Sequence, residues 1–170
     1  MNSGQTLIEL LTYVALIAVI GGIVTSTLIS MQRTVAQTLL VRRVHEAAAV
    51  TLERIVRDVR VAYDIDESAS AFGTHPGRVT LLTRDAGGGA DRAYTFETSG
   101  SALVVRENGV LVGAVTPGGV TVTNLVFRKI TTPVSEALRV ELTLHGAQGR
   151  ASSTERFYTT AVLRDAYQLE

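Results

Sequence analysis

The chain has 170 residues, with 16 lysines and arginines, 16 aspartates and glutamates, and no cysteine. Balanced charge gives no net field that would attract a polyanion, so the composition argues against a nucleic-acid partner. The lack of cysteine excludes disulfides, thiol nucleophiles and cysteine-ligated zinc, and it leaves the redox compartment open.

The first predicted element is a helix of membrane length. Residues 10–32 carry no charge, and the stretch from Leu10 to Ile29 is mainly leucine, isoleucine, valine and alanine. About 20 such residues span a hydrocarbon core at 1.5 Å of rise per residue. A cleaved secretory signal would begin with basic residues, whereas MNSG has none. This segment has two simpler interpretations: a cleaved secretory signal, or a signal anchor that only holds the protein in the membrane.

Two features distinguish this N-terminal segment from a plain apolar helix, one just before the apolar run and one within it. Glu9 is the only charged side chain among the first 32 residues, and a carboxylate in lipid costs several kcal/mol unless it is neutralised, solvated or paired. Gly21 and Gly22 predict a bend, because each weakens a helix by about 1 kcal/mol relative to alanine. They equally permit close helix packing, with Ala18 and Gly22 as a small-residue pair.

The next segment predicts an amphipathic continuation of the same helix. No glycine or proline occurs between Met31 and Ala62. Apolar residues recur at steps of three and four, which places them on one helical face. We therefore expect a transmembrane or filament-core helix over residues 5–30 and an amphipathic half over residues 31–63. The apolar face comprises Val41, Val44, Ala48, Leu52, Ile55, Val59 and Ala62.

Residues 64–77 predict a linker loop, because acidic and small residues, glycine and proline are concentrated there. Asp64, Asp66 and Glu67 carry the hard oxygen ligands that calcium prefers, at close spacing. The EF-hand pattern is absent, so a solvated linker is the favoured interpretation and calcium the weak alternative. We expect no other cofactor.

Residues 78–170 predict an antiparallel β-rich domain. Valine, threonine, tyrosine and phenylalanine are concentrated in short segments between glycine-rich breaks. Asn108-Gly109 lies between two apolar strands and predicts a two-residue type I′ hairpin turn. The fold class is therefore α+β, with the apolar face of the helix covering one antiparallel sheet. The predicted strands are 78–84, 92–98, 102–107, 110–115, 120–130, 137–146 and 156–164.

The chain carries no recognisable catalytic motif, and we expect no enzyme. His45, His75 and His145 lack metal-ligand spacing and are interpreted as surface residues. The three glycines at 87–89 have no following lysine and predict a flexible hairpin tip instead of a phosphate-binding loop. Arg57-Asp58 is interpreted as a solvated helix face or a salt bridge to the sheet.

The leader Gly4-Gln5-Thr6-Leu7-Ile8-Glu9, followed by an apolar helix and a β domain, resembles the class III signal of type IV prepilins and type II secretion pseudopilins. The usual form of that signal is Gly-Phe-Thr-Leu-Ile-Glu, and Gln5 is the departure. The resemblance implies a leader peptide of residues 1–4, removed by prepilin peptidase between Gly4 and Gln5. It also implies N-terminal methylation of Gln5 and a type IV pilin-like fold.

Within that family the chain is similar to J-type minor pseudopilins and W-type minor pilins, through LLTYVA at 10–15 and RDVRVA at 57–62. This similarity implies a subunit that initiates or caps a type IV pilus or type II secretion pseudopilus. Its implied partners are other pilins or pseudopilins, prepilin peptidase, the inner-membrane assembly platform and, before assembly, the lipid bilayer. The C-terminal domain would lie outside the cytoplasm, first on a single-pass inner-membrane protein and then in a filament.

The same resemblance implies an assembly role for Glu9, which would meet the N-terminal amine of a neighbouring subunit in the filament core. The alternative is a glutamate near the headgroups of a simple anchor. Two other functions remain open: a major pilin that forms the filament shaft, and a monomeric signal-anchored extracytoplasmic binding domain.

Overall fold

The protein has an α+β fold in which a long N-terminal helix packs on antiparallel β-sheets. The computed structural model describes residues 3–84, 90–132 and 135–163. The predicted strands are confirmed within two residues at their ends, except that β8 begins five residues before its predicted start. The elements are helix α1 (Ser3–Val61) and strands β1 (Asp64–Ile65), β2 (Arg78–Thr83), β3 (Arg92–Ser99), β4 (Ala102–Glu107), β5 (Val110–Ala114), β6 (Val120–Thr132), β7 (Ser135–Gln148) and β8 (Ala151–Val162).

The described strands form two sheets, which corrects the expectation of a single sheet. One has the order β1-β2-β3-β4-β5 and the other β6-β7-β8. The sheets meet through isolated backbone hydrogen bonds, in which Val122 donates to Ser101 at 2.7 Å and Gly77 donates to Leu125 at 2.9 Å. A ladder would need a continuous series of such bonds between two strands.

The predicted linker over residues 64–77 is also corrected, because it begins with strand β1. Asp64 pairs with Leu82 and Ile65 with Leu81 in antiparallel register. The Ile65 side chain is buried in the core, and its burial favours keeping this short segment against β2.

The chain divides into two units, Met1–Leu39 and Leu40–Glu170. In the second unit, one stripe of α1 is buried against the sheets. The predicted apolar face is confirmed as buried at Val44, Ala48, Ile55, Val59 and Ala62, while Val41 and Leu52 are half-buried. Burial begins at Leu40, later than the predicted start of the amphipathic half, because residues 31–39 are all exposed.

Strand β6 changes its inward face partway along. Val122 is buried at an even-numbered position of the strand, whereas further along Leu125 and Phe127 are buried at odd-numbered positions. The change coincides with a register shift between Val122 and Asn124 in the pairing with β7. Such a bulge inserts one unpaired residue and thereby exchanges the two faces of the strand.

The turn between β4 and β5 confirms the prediction for Asn108-Gly109. Their φ values are 49° and 83°, and a type I′ turn requires positive φ at both central residues. Asn108 also bonds Ala93 on the neighbouring strand, donating its backbone N–H at 2.8 Å and accepting from the Ala93 N–H with Oδ1 at 2.9 Å. The predicted tip at 87–89 lies outside the described residues.

Candidate functional site

The candidate assembly residue Glu9 lies near the beginning of α1, in the unit Met1–Leu39. Its side chain is exposed, and it makes no hydrogen bond or ion pair with any residue that the structure describes. Gly4 and Gln5, the predicted cleavage and methylation positions, precede it in the same helix. Folding of the single chain therefore provides Glu9 with no partner in the described part of the molecule.

The helix around Glu9 is apolar on every side. Leu7, Ile8, Leu10 and Leu11 are each about two-thirds exposed. Successive helical residues are about 100° apart, so these four side chains lie on the half of the helix that faces away from Glu9. The exposed Leu16 and Ile20, two and three turns further on, lie on the same side as Glu9. A helix that is apolar all round belongs inside a protein core or a membrane. This N-terminal helix is long and apolar enough to span a membrane.

The threonine hydroxyl groups described between residues 12 and 27 are satisfied within the helix. The Thr12 hydroxyl donates to the Ile8 carbonyl at 2.8 Å. Thr25 donates to Gly21 at 2.8 Å and Thr27 donates to Ile23 at 2.9 Å. Such internal bonds remove the need for water at these positions and suit an apolar surrounding.

The assigned helix continues through Gly21 and Gly22. A Cβ built on either glycine would meet no atom within 4 Å. Within this single chain, therefore, no described part of the protein packs against these two glycines. That free space is compatible with the close helix packing predicted for Ala18 and Gly22.

The acidic residues of the 64–77 segment point to separate partners. Asp66 Oδ1 accepts hydrogen bonds from the Ser68 hydroxyl and from the backbone N–H groups of Ser68 and Ala69. These bonds, the one from the Ser68 hydroxyl first, lower the pKa of Asp66. Glu67 instead pairs with Lys129 at 2.8 Å. Across the described residues, His, Asp and Glu side chains form no group of three that could hold a metal ion.

The three histidines have separate structural contacts. His45 packs edge-on against the Phe157 ring with centroids 5.3 Å apart. His145 Nδ1 lies 2.9 Å from the Thr154 hydroxyl. His75 accepts a hydrogen bond from the buried Leu125 backbone N–H through Nδ1 at 3.0 Å. Sequence reasoning missed this last role, because residues 75 and 125 are brought together only by the tertiary fold.

Asp58 pairs with Arg54, one turn earlier on α1, at 2.8 Å. The neighbouring Arg57 is exposed and has no ion pair within the described structure. Both arginines line a hollow of about 310 Å³ that also contains Arg84 and Arg92. Sequence analysis did not single out these last two arginines, because only folding brings β2 and β3 beside α1.

Comparison with known proteins returns no match to a family model, a curated protein or a solved structure. A functional assignment therefore depends on the residues of this chain. The strongest features are the spacing from Gly4 to Glu9 and the all-round apolar helix that contains it.

Proposed function

We propose that this protein is a minor pilin or pseudopilin, processed by prepilin peptidase, that helps to initiate or cap a type IV pilus or a type II secretion pseudopilus. Its role is structural and not enzymatic. The proposal includes a type IV pilin-like arrangement, in which the apolar helix enters a filament core and the β-rich unit faces outward.

One observation carries the proposal: Glu9 lies on an exposed helix that is apolar on every side, five residues after Gly4. An apolar surface of this extent needs either lipid or other helices as its surrounding. Glycine and glutamate at this spacing are the features of the class III signal that the leader resembles. A filament subunit would meet both surroundings in turn: lipid while it is in the membrane, and neighbouring helices once it is in the filament.

The charge of Glu9 explains how register can be set during assembly. Cleavage after Gly4 would create an α-amino group on Gln5, and in a filament this cation would belong to a neighbouring subunit. Opposite charges attract more strongly in an apolar core than in water, although desolvation offsets much of the gain. A misregistered subunit would leave the carboxylate unpaired, which costs several kcal/mol. Pairing therefore selects one axial position.

The decisive experiment is the intact mass and N-terminal peptide of the protein extracted from membranes of its own host. We expect a terminus at Gln5, with or without one added methyl group. A Gly4→Val variant should keep the uncleaved terminus, because the bulkier side chain lies at the cut. Ser3→Val is the matched control and should be cleaved as usual.

Other termini would contradict the proposal in distinct ways. An uncleaved N-terminus would favour the simple anchor with an extracytoplasmic binding domain. A terminus well inside the apolar run would mean ordinary signal cleavage, and Glu9 would then be absent from the mature protein. With a terminus at Gln5, abundance in sheared filaments would separate shaft from tip, since a minor subunit is rare there.

A further inference from the structure

Four arginines line one hollow in the unit Leu40–Glu170. The hollow has a volume of about 310 Å³ and lies between α1 and the neighbouring ends of β2 and β3. Arg54 and Arg57 come from α1, Arg84 follows β2, and Arg92 begins β3. Asp58 is the single acidic residue in the described lining. The described lining therefore holds four arginines and one acid, and two of the arginines, Arg54 and Arg92, have acidic partners.

The two arginines of α1 differ in whether they have an acidic partner. Arg54 Nε donates to Asp58 Oδ2 at 2.8 Å, so part of its charge is already neutralised. Arg57 is exposed and has no ion pair with a described residue. Because a guanidinium group offers five N–H donors in a planar fork, Arg57 is free to bind a carboxylate in a bidentate manner.

The two sheet arginines are held at the wall by contacts of their own. Arg92 Nη1 lies 3.2 Å from Glu107 Oε1. The Arg84 guanidinium lies over the Tyr63 ring, 5.0 Å from its centroid. The Tyr63 hydroxyl in turn donates to Asp91 at 2.9 Å, and this bond raises the pKa of Tyr63. The positions of both arginines are thus determined by the fold before any ligand arrives.

An adjoining hollow of about 500 Å³ shares Arg54 and Arg57, and the rest of its described lining is apolar apart from the exposed Glu53. Its wall includes Val50 of α1 and Val112 of β5, both more than half exposed. Strand β5 is an edge of its sheet. The two hollows together present a basic surface beside an apolar one, with the helical arginines at their boundary.

We propose that these two hollows bind an acidic segment of a partner polypeptide. Its carboxylates would pair with Arg57 and its neighbours, and an apolar side chain of the same segment would cover Val50 and Val112. Clusters of arginine recognise acidic motifs because planar guanidinium and carboxylate groups pair bidentately. The apolar half favours a polypeptide over nucleic acid. This inference does not depend on the proposed filament function.

The test uses the full chain in a nonionic detergent and measures fluorescence anisotropy. The probe is a short labelled peptide of alternating glutamate and leucine. The reference probes are the same peptide with glutamine in place of glutamate and a thymidine oligonucleotide of equal length. We expect binding of the acidic peptide that weakens when the salt concentration rises from about 20 mM to about 200 mM.

Variants locate the binding. Arg57→Gln should weaken binding of the acidic peptide by about fivefold to tenfold, since it removes a charge-assisted pair. Arg42→Gln is the matched control, because Arg42 is an exposed arginine of α1 outside both hollows. It should leave the affinity unchanged. Circular dichroism checks that both variants keep the helix content of the parent chain.

Three results would overturn the inference. The acidic peptide would bind no better than its glutamine counterpart, or Arg42→Gln would weaken binding as much as Arg57→Gln, or the oligonucleotide would bind more tightly than the peptide. The last result would assign the arginines to nucleic acid. None of these results would alter the N-terminal mass that tests the filament proposal.

Discussion

Gly146 of β7 lies directly against Val44 of α1. A Cβ built on Gly146 would come within 2.8 Å of Val44 Cγ2 and 3.1 Å of Leu40 Cδ1. Real Cβ atoms do not approach neighbouring carbon atoms so closely, so the contact requires glycine at this point of the strand. The missing side chain is what lets the helix and the three-stranded sheet approach each other here.

We predict that Gly146→Ala destabilises the protein by about 1–3 kcal/mol, because overpacking a core forces side chains from their preferred rotamers. Valine is stiff at χ1 and can yield little. The measurement is urea unfolding of the full chain in nonionic detergent. Gly113→Ala is the control, because a Cβ there meets nothing within 4 Å. Equal effects of the two substitutions would contradict the close approach.

Thr51 places a polar hydroxyl group in the hydrophobic core. Its side chain is fully buried, and its Oγ1 has no hydrogen-bond partner in the described structure. An unsatisfied buried hydroxyl costs about 1–3 kcal/mol. Thr51→Val keeps the shape and removes the hydroxyl, so we expect stability to rise by about 1 kcal/mol. Lower stability in the same unfolding measurement would show that the hydroxyl finds a partner in solution.

His75 satisfies a buried backbone group. Its Nδ1 accepts the Leu125 N–H at 3.0 Å, and Leu125 is completely buried. His75→Ala leaves that N–H unpaired, so we predict a loss of about 1–2 kcal/mol in the free energy of unfolding. His145→Ala is the control, because His145 Nδ1 contacts only the exposed Thr154 hydroxyl. Comparable losses in the two variants would argue against this role of His75.

Asp66 makes stability depend on acid pH. Its folded pKa lies below the ordinary value of 3.8 because the Ser68 hydroxyl and nearby backbone N–H groups donate to it. A carboxyl with a lowered pKa stabilises the fold above its unfolded pKa, and that contribution is lost as pH falls through the folded value. Asp66→Asn and Ser68→Ala should both flatten the fall in stability below pH 3.8. Thermal unfolding across acid pH measures it, and unchanged slopes would refute it.

Glu9→Val separates membrane insertion from assembly. Removing the carboxylate makes the helix more apolar, so insertion and cleavage after Gly4 should persist. Incorporation into filaments should fall by at least about tenfold, because the proposed pair with a neighbouring α-amino group is lost. Immunoblots of membranes and sheared filaments measure the two steps. Normal incorporation of the variant would exclude the assembly role of Glu9.

Local patterns in the sequence were enough to predict much of the fold. The uncharged run predicts the apolar helix, the three-four spacing predicts the buried stripe at Val44 and Ile55, and Asn108-Gly109 predicts its turn. These features depend on residues within a few turns or one hairpin. The leader motif is likewise local, which is why the proposed role of Glu9 was visible without coordinates.

Tertiary structure alone decided how distant segments meet. The two sheets meet at backbone bonds such as that from Val122 to Ser101, and the periodicity of β6 does not encode a partner in the turn between β3 and β4. The arginine hollow likewise unites residues 54 and 92, whose charges look like ordinary solvated positions in sequence. The physical reason is that propensity acts over a few residues, whereas burial and pairing act between surfaces that exist only after the chain has folded.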